Sequence, residues 1–112
     1  MKTVDLIVRN PSGLHARPAA LFAETATRFG ARITVQNLDR GGPPVEGKSV
    51  LFVLTTGVQQ GHRIRLTADG ADEDAAIETI VSLVEAGLGE AVPDEASLDE
   101  DPMPSPGKGT PA

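Results

Sequence analysis

Over residues 3 to 88 the apolar side chains repeatedly change spacing, from every second residue to every third or fourth and back, and this alternation restricts what the chain can fold into. A spacing of two lines one side of a strand, and a spacing of three or four lines one stripe of a helix. "TVDLIV" sets Val4, Leu6 and Val8 on one strand face, and the turn residues of "NPSG" end it. A helix opening near residue 16 brings Phe22, Ala26 and Phe29 to one side, with Gly30 as its stop. "ARITVQ" alternates through Ile33 and Val35, "NLDRGGPP" is a loop by composition, and Val45 marks a short third strand. "HRIRLTADG" is a strand with Ile64, Leu66 and Ala68 inward. The final helix is capped by Asp72, begins with Glu73 and Asp74, carries Ile77, Ile80, Val81 and Val84 in a stripe, and stops at Gly87. "KSVLFVLTTG" stays open between a buried strand and a short helix capped by Ser49, because five apolar residues in a row carry no period. This order of elements fits an α+β domain whose longer helices cover one face of an antiparallel sheet.

A chain of 112 residues has room for one such domain. With no Cys, disulfides, thiolate metal sites and cysteine nucleophiles are excluded. "MKTVDLIVRN" is too short an apolar run for a signal peptide and nothing approaches a membrane span, so the cytoplasm is the expected compartment. The net charge of −6 is uneven: residues 1–86 hold nine Lys or Arg against ten acids, and residues 87–112 hold one against six. The three aromatic residues are all Phe and none interleaves with a basic stretch, which argues against nucleic-acid binding. No Gly-rich phosphate loop is present either. Residues 89–112 carry five of the nine prolines and a run of acids, so they are expected to form a disordered tail or linker following a domain of residues 1–88.

The two long helices begin in opposite ways. "GADEDAA" places three carboxylates at the positive end of the last helix, the arrangement that stabilises a helix start. "LHARPAA" has no acid, only His15, Arg17 and small residues around a Pro18 suited to a first turn. An uncompensated helix start with free N–H groups is the makeup of an anion site. A phosphoryl group on a histidine ring there would meet the backbone amides of Ala16 and Arg17. The Arg17 fork adds charge-assisted bonds to phosphoryl oxygens. A His-x-Arg triplet alone is more often a turn residue beside a solvated charge; the glycine before it, the proline after it and the missing acids are what single this one out.

With those residues read, "GLHARPAALFAETATRF" closely resembles the active-site segment of the HPr family, the phosphocarriers of the phosphoenolpyruvate-dependent sugar phosphotransferase system. The resemblance continues through "KSVLFVLTTGVQQGHRIRLTADGADEDAAIETIVSLVEAGL" and covers about residues 3 to 88. It implies an open-faced β-sandwich, with three helices on one face of a four-stranded antiparallel sheet in the order βαββαβα, and it selects a short helix for "SVLFVL". It further implies that His15 accepts a phosphoryl group from enzyme I as a pros-phosphohistidine and passes it to IIA-type domains, with Arg17 as the phosphate partner and no cofactor or metal. Ala20, Val50 and Leu51 match the family's partner-docking residues, although each is equally compatible with core packing. Ser49 matches a serine that an ATP-dependent HPr kinase phosphorylates in some bacteria; a plain helix cap is the favoured reading.

Several positions depart from the family pattern. Phe52 replaces a polar or small residue, and either widens an apolar docking patch or is buried by the loop "NLDRGGPPVEG", which is longer than usual. Ala16 stands where enteric relatives often carry Thr. His62, with no Cys or second His at ligand spacing, reads as a surface residue. The expected unit is a monomeric carrier; the alternative is a regulatory module of carbon or nitrogen metabolism switched by phosphorylation at His15 or Ser49. A hydrolase using His15 as general base is weaker, since no carboxylate is placed to orient the ring.

Overall fold

A computed structural model of the chain describes residues 1–90. The expected tail therefore lies, from residue 91 onward, outside the described residues. Strands β1 (Lys2–Ile7), β2 (Arg32–Asn37), β3 (Val45–Glu46) and β4 (Arg63–Asp69) alternate with helices α1 (Ala16–Ala26), α2 (Val50–Thr55) and α3 (Glu73–Glu85). The strands form one sheet in the order β1-β4-β2-β3 with every pair antiparallel. This is the expected open-faced α+β sandwich, and the "SVLFVL" segment is a helix. Among the described residues no helix is long and apolar enough to cross a membrane.

Register explains why one face is bare. Leu6 lies opposite Ile64 and Val4 opposite Leu66, while Leu66 and Ala68 of β4 also face Val35 and Ile33 of β2. These alternate residues pack beneath the helices with Phe22, Ala26, Val53, Ala76, Ile80 and Val84. The residues between them point the other way, and Asp5 directly opposes Arg65 there. That pair is bidentate, at 2.8 and 3.0 Å, but exposed, so it specifies register more than it stabilises.

Two details differ from the sequence expectation. Helix α1 ends at Ala26, not at Gly30, because its last turn is tightened by bonds from Arg28 N to Thr25 O (3.1 Å) and Phe29 N to Ala26 O (3.2 Å). Phe29 packs on the core from beyond the helix. Asp72 stands at the cap position of α3, yet its side chain makes no capping bond. Its carboxylate instead accepts from Gly30 N (2.9 Å) and Ala31 N (2.8 Å), pinning the α1–β2 turn to the start of α3. Those two amides, Gly30's foremost, hold the Asp72 carboxyl below the usual carboxylate range. Gly87 does stop α3: it has φ 98°, and bonds from Gly87 N to Val84 O and Leu88 N to Leu83 O close a Schellman turn.

Phe22 is fully buried at the centre of the core. Phe22→Ala should therefore cost about 3–5 kcal/mol, read as a lower urea midpoint with little change in slope. A carboxylate with a depressed folded pKa contributes stability above its unfolded pKa and loses it as the pH falls. The stability gap between the natural chain and Asp72→Asn should accordingly hold from neutrality down to about pH 4, the unfolded carboxyl's range, and narrow as pH falls below it, measured by urea unfolding across that range.

Candidate functional site

The site is built from two loops that meet at the N-terminal end of α1. In the first, residues 10–14, Gly13 N donates to Asn10 O (3.1 Å) and Asn10 Nδ2 returns a bond to Gly13 O (2.9 Å). Gly13 has φ 59°, and a Cβ there would lie 2.3 Å from Val58 O, so only glycine permits this approach. The approach lets Leu14 N donate to Val58 O (3.0 Å), joining the first loop to the second.

The second loop, residues 57–62, is tied to the end of β1 by Gly61 N to Val8 O (2.7 Å) and Val8 N to His62 O (2.9 Å). His62 is not the free surface residue its sequence context suggests: it is half-buried, and its Nδ1 accepts from Gln59 N (3.1 Å) and faces Asn37 Nδ2 at 3.3 Å. Both neighbours are donors, which assigns the proton to Nε2. The imidazole thus closes the turn that carries Gln59 and Gln60.

His15 occupies the N-cap position of α1 in an extended conformation, with φ −111° and ψ 154°, and its side chain makes no capping bond. The first turn of α1 contains no acid. His15, Ala16 and Arg17 are all exposed. Ala16 has φ 48°, a left-handed conformation that costs a non-glycine residue on the order of 1 kcal/mol, so the chain enters the helix through a strained residue. Beside His15, Pro11, Ser12, Gln59 and Gln60 line an open depression of about 530 Å³. An exposed imidazole at an uncapped helix start, with a guanidinium two residues along, is equipped to hold an anionic group.

One contributor was not legible in the sequence. Glu90, beyond α3, accepts from Asn10 Nδ2 (3.0 Å), Ser12 N (3.0 Å) and Ser12 Oγ (2.7 Å). The Asn10 amide, then the Ser12 amide and hydroxyl and the charge of Arg17, hold its carboxyl below the usual range. By composition it belongs to the acidic tail; nothing local marks a residue whose partners lie 78 and 80 positions earlier.

The residues singled out for docking are at the surface. Ala20 is exposed on α1, and Val50, Leu51 and Phe52 of α2 are 40%, 70% and 51% exposed, while Val53 faces the core. Phe52 thus extends an apolar patch and is not covered by the 37–47 loop. Ser49 caps α2, its Oγ accepting from Phe52 N at 3.3 Å. A separate depression of about 480 Å³ at the free edge of β1, lined by Ile7, Arg9, Arg63 and Glu85 among others, does not include His15.

Comparison with known proteins gives this geometry a context. The family described as the PTS HPr component phosphorylation site matches residues 2–86. The phosphocarrier protein HPr of Streptomyces coelicolor is 44% identical over 78 residues, covering 70% of this chain and 82% of that protein. The multiphosphoryl transfer protein of Escherichia coli O157:H7 is 46% identical over 88 residues, 79% of this chain, which spans only 23% of that protein's length. Among solved structures, HPr-C-His from Thermoanaerobacter tengcongensis superposes with a TM-score of 0.76 at 41% identity, covering 82% of this chain and all of that one. An HPr dimer from the same organism is 42% identical, with a TM-score of 0.62, over 80% of this chain and all of that one. With the matched region running from β1 through α3 and taking in His15, Arg17 and both loops, the chain belongs to the HPr family of phosphotransferase-system phosphocarriers.

Proposed function

We propose that the folded unit, residues 1–90, is a cytoplasmic phosphocarrier domain that takes a phosphoryl group from phospho-enzyme I onto His15 and delivers it to IIA-type domains. The observation that carries this reading is the acid-free start of α1, which presents His15 and Arg17 to solvent. In the transfer, the lone pair of His15 Nδ1 attacks phosphorus as the donor's phosphorus–nitrogen bond breaks, the bonding pair returning to the donor ring. The proton stays on Nε2 throughout, so the product ring is an imidazolium whose charge is offset by the phosphoryl oxygens. Arg17 and the amides of Ala16 and Arg17 hold those oxygens. Delivery reverses the sequence with a IIA histidine as nucleophile. Ala20, Val50, Leu51 and Phe52 form the surface on which both partners dock, and the site is complete within one chain, consistent with a monomeric carrier.

A regulatory reading is favoured by one observation: Ser49 borders the exposed apolar patch of α2. A dianionic group at that cap would place charge at the edge of the docking surface and weaken binding of acidic partners. In that case HPr kinase would be a further partner. Capture of partners by the chain with and without phosphate on His15 separates a carrier from a module switched at Ser49: a carrier exchanges partners on phosphorylation of His15, while a module switched at Ser49 keeps its contacts when His15 is replaced.

Incubation with enzyme I and labelled phosphoenolpyruvate should place one acid-labile phosphate on the chain, and none on His15→Ala; equal labelling of His15→Ala would overturn the assignment. Arg17→Ala should fold normally yet lower kcat/KM by about ten- to a hundredfold, the range for losing a charge-assisted bond. Leu51→Asp should instead raise KM about tenfold with little change in kcat, as removal of a docking contact predicts.

A further inference from the structure

The turn that leads into His15 is held from outside itself. Asn10 is fully buried, and its amide nitrogen donates to Gly13 O and to Glu90 Oε1. Among the described residues its Oδ1 finds no partner, so the two acceptors facing Nδ2 fix the orientation of the amide; a flipped Asn10 would set its oxygen against a carbonyl and a carboxylate. Ser12, three residues before His15, gives both its N–H and its hydroxyl to the two oxygens of Glu90. The carboxylate therefore joins the first and third residues of the turn.

The backbone is shaped to deliver it. Gly87, Leu88 and Gly89 adopt φ 98°, 52° and 85° in succession, three left-handed residues that swing the chain back from the end of α3. Leu88 is fully buried and packs in the core despite that conformation, which anchors the hook at its midpoint. A left-handed leucine is a strained conformation and persists only where the surrounding structure holds it.

We propose that Glu90 is a positioning residue for phosphoryl transfer: acting through Asn10 and Ser12, and without touching the phosphoryl group, it fixes the turn that sets His15 in place. The proposal rests on the reading of His15 as the phosphoryl acceptor. A displacement of the nucleophile by about 1 Å is enough to lower a rate by up to a hundredfold, so a loosened turn reaches the chemistry while the docking patch on α1 and α2 is unaffected.

The test is steady-state phosphorylation of the full 112-residue chain by phospho-enzyme I, with kcat and KM resolved. Glu90→Ala should lower kcat by about tenfold and leave KM within about twofold, with faster hydrogen exchange at the Ser12 amide. Glu90→Gln, which keeps one acceptor oxygen and the side-chain volume, should fall between Glu90→Ala and the natural chain, and carries the test if Glu90→Ala does not fold. Ser12→Ala should act on the same route, so that adding it to Glu90→Ala lowers kcat no further. An unchanged kcat in Glu90→Ala and Glu90→Gln, or a change confined to KM, overturns the positioning role. Labelling of His15→Ala would overturn the acceptor assignment instead, and the two failures are thereby told apart.

Discussion

The backbone of Gly13 lies against that of Val58 with no room for a side chain between them, and the rest of the His15 end follows from this contact. It brings the Leu14 amide to the Val58 carbonyl, which joins the turn after β1 to the loop before β4, two segments far apart in the chain. With the loops joined, Gln59 and Gln60 line the depression beside His15 and α1 begins at a fixed point above the sheet. A Cβ at residue 13 would separate the loops and meet an unfavourable φ as well. The contact is thus a condition for the site's geometry before any side-chain chemistry is considered.

What could be read from the sequence was whatever depends on nearby residues. The strand and helix faces followed from spacing, and Ile64, Leu66, Ile33, Val35, Ile80 and Val84 are buried as that spacing requires. The contrast between an acid-free and an acid-rich helix start was also legible, because the field at a helix end is a local property. Spacing could not settle α2: three of its five consecutive apolar residues face solvent, so the run reflects an exposed patch and not a core segment. Asp72, Glu90 and His62 were misread or missed for one shared reason. Each faces a donor brought close only by the folded topology: Asp72 the amides of the α1–β2 turn, Glu90 those of the residue 10–14 turn, and His62 the Asn37 side chain of β2.

The sheet's two faces divide the labour of the molecule. One buries its alternate apolar residues under three helices, and the other opposes unlike charges such as Asp5 and Arg65 in solvent. Stacking another apolar surface on the charged face would strip water from these pairs without replacing it, which is unfavourable. Among the described residues, large exposed apolar side chains are concentrated on α2 and appear only singly elsewhere, at Met1 and Ile7.

That concentration on α2 has a kinetic consequence. If the apolar patch of α2 is where partners dock, as proposed, it would seat one partner at a time, so such a unit could not hold donor and acceptor together. It must let go of the first before meeting the second. Throughput is then governed by how quickly each encounter dissolves, and a patch made stickier would slow the traffic it was meant to help. The modest size of the α2 surface, three side chains between 40% and 70% exposed, fits the brief contacts that the proposed shuttle requires.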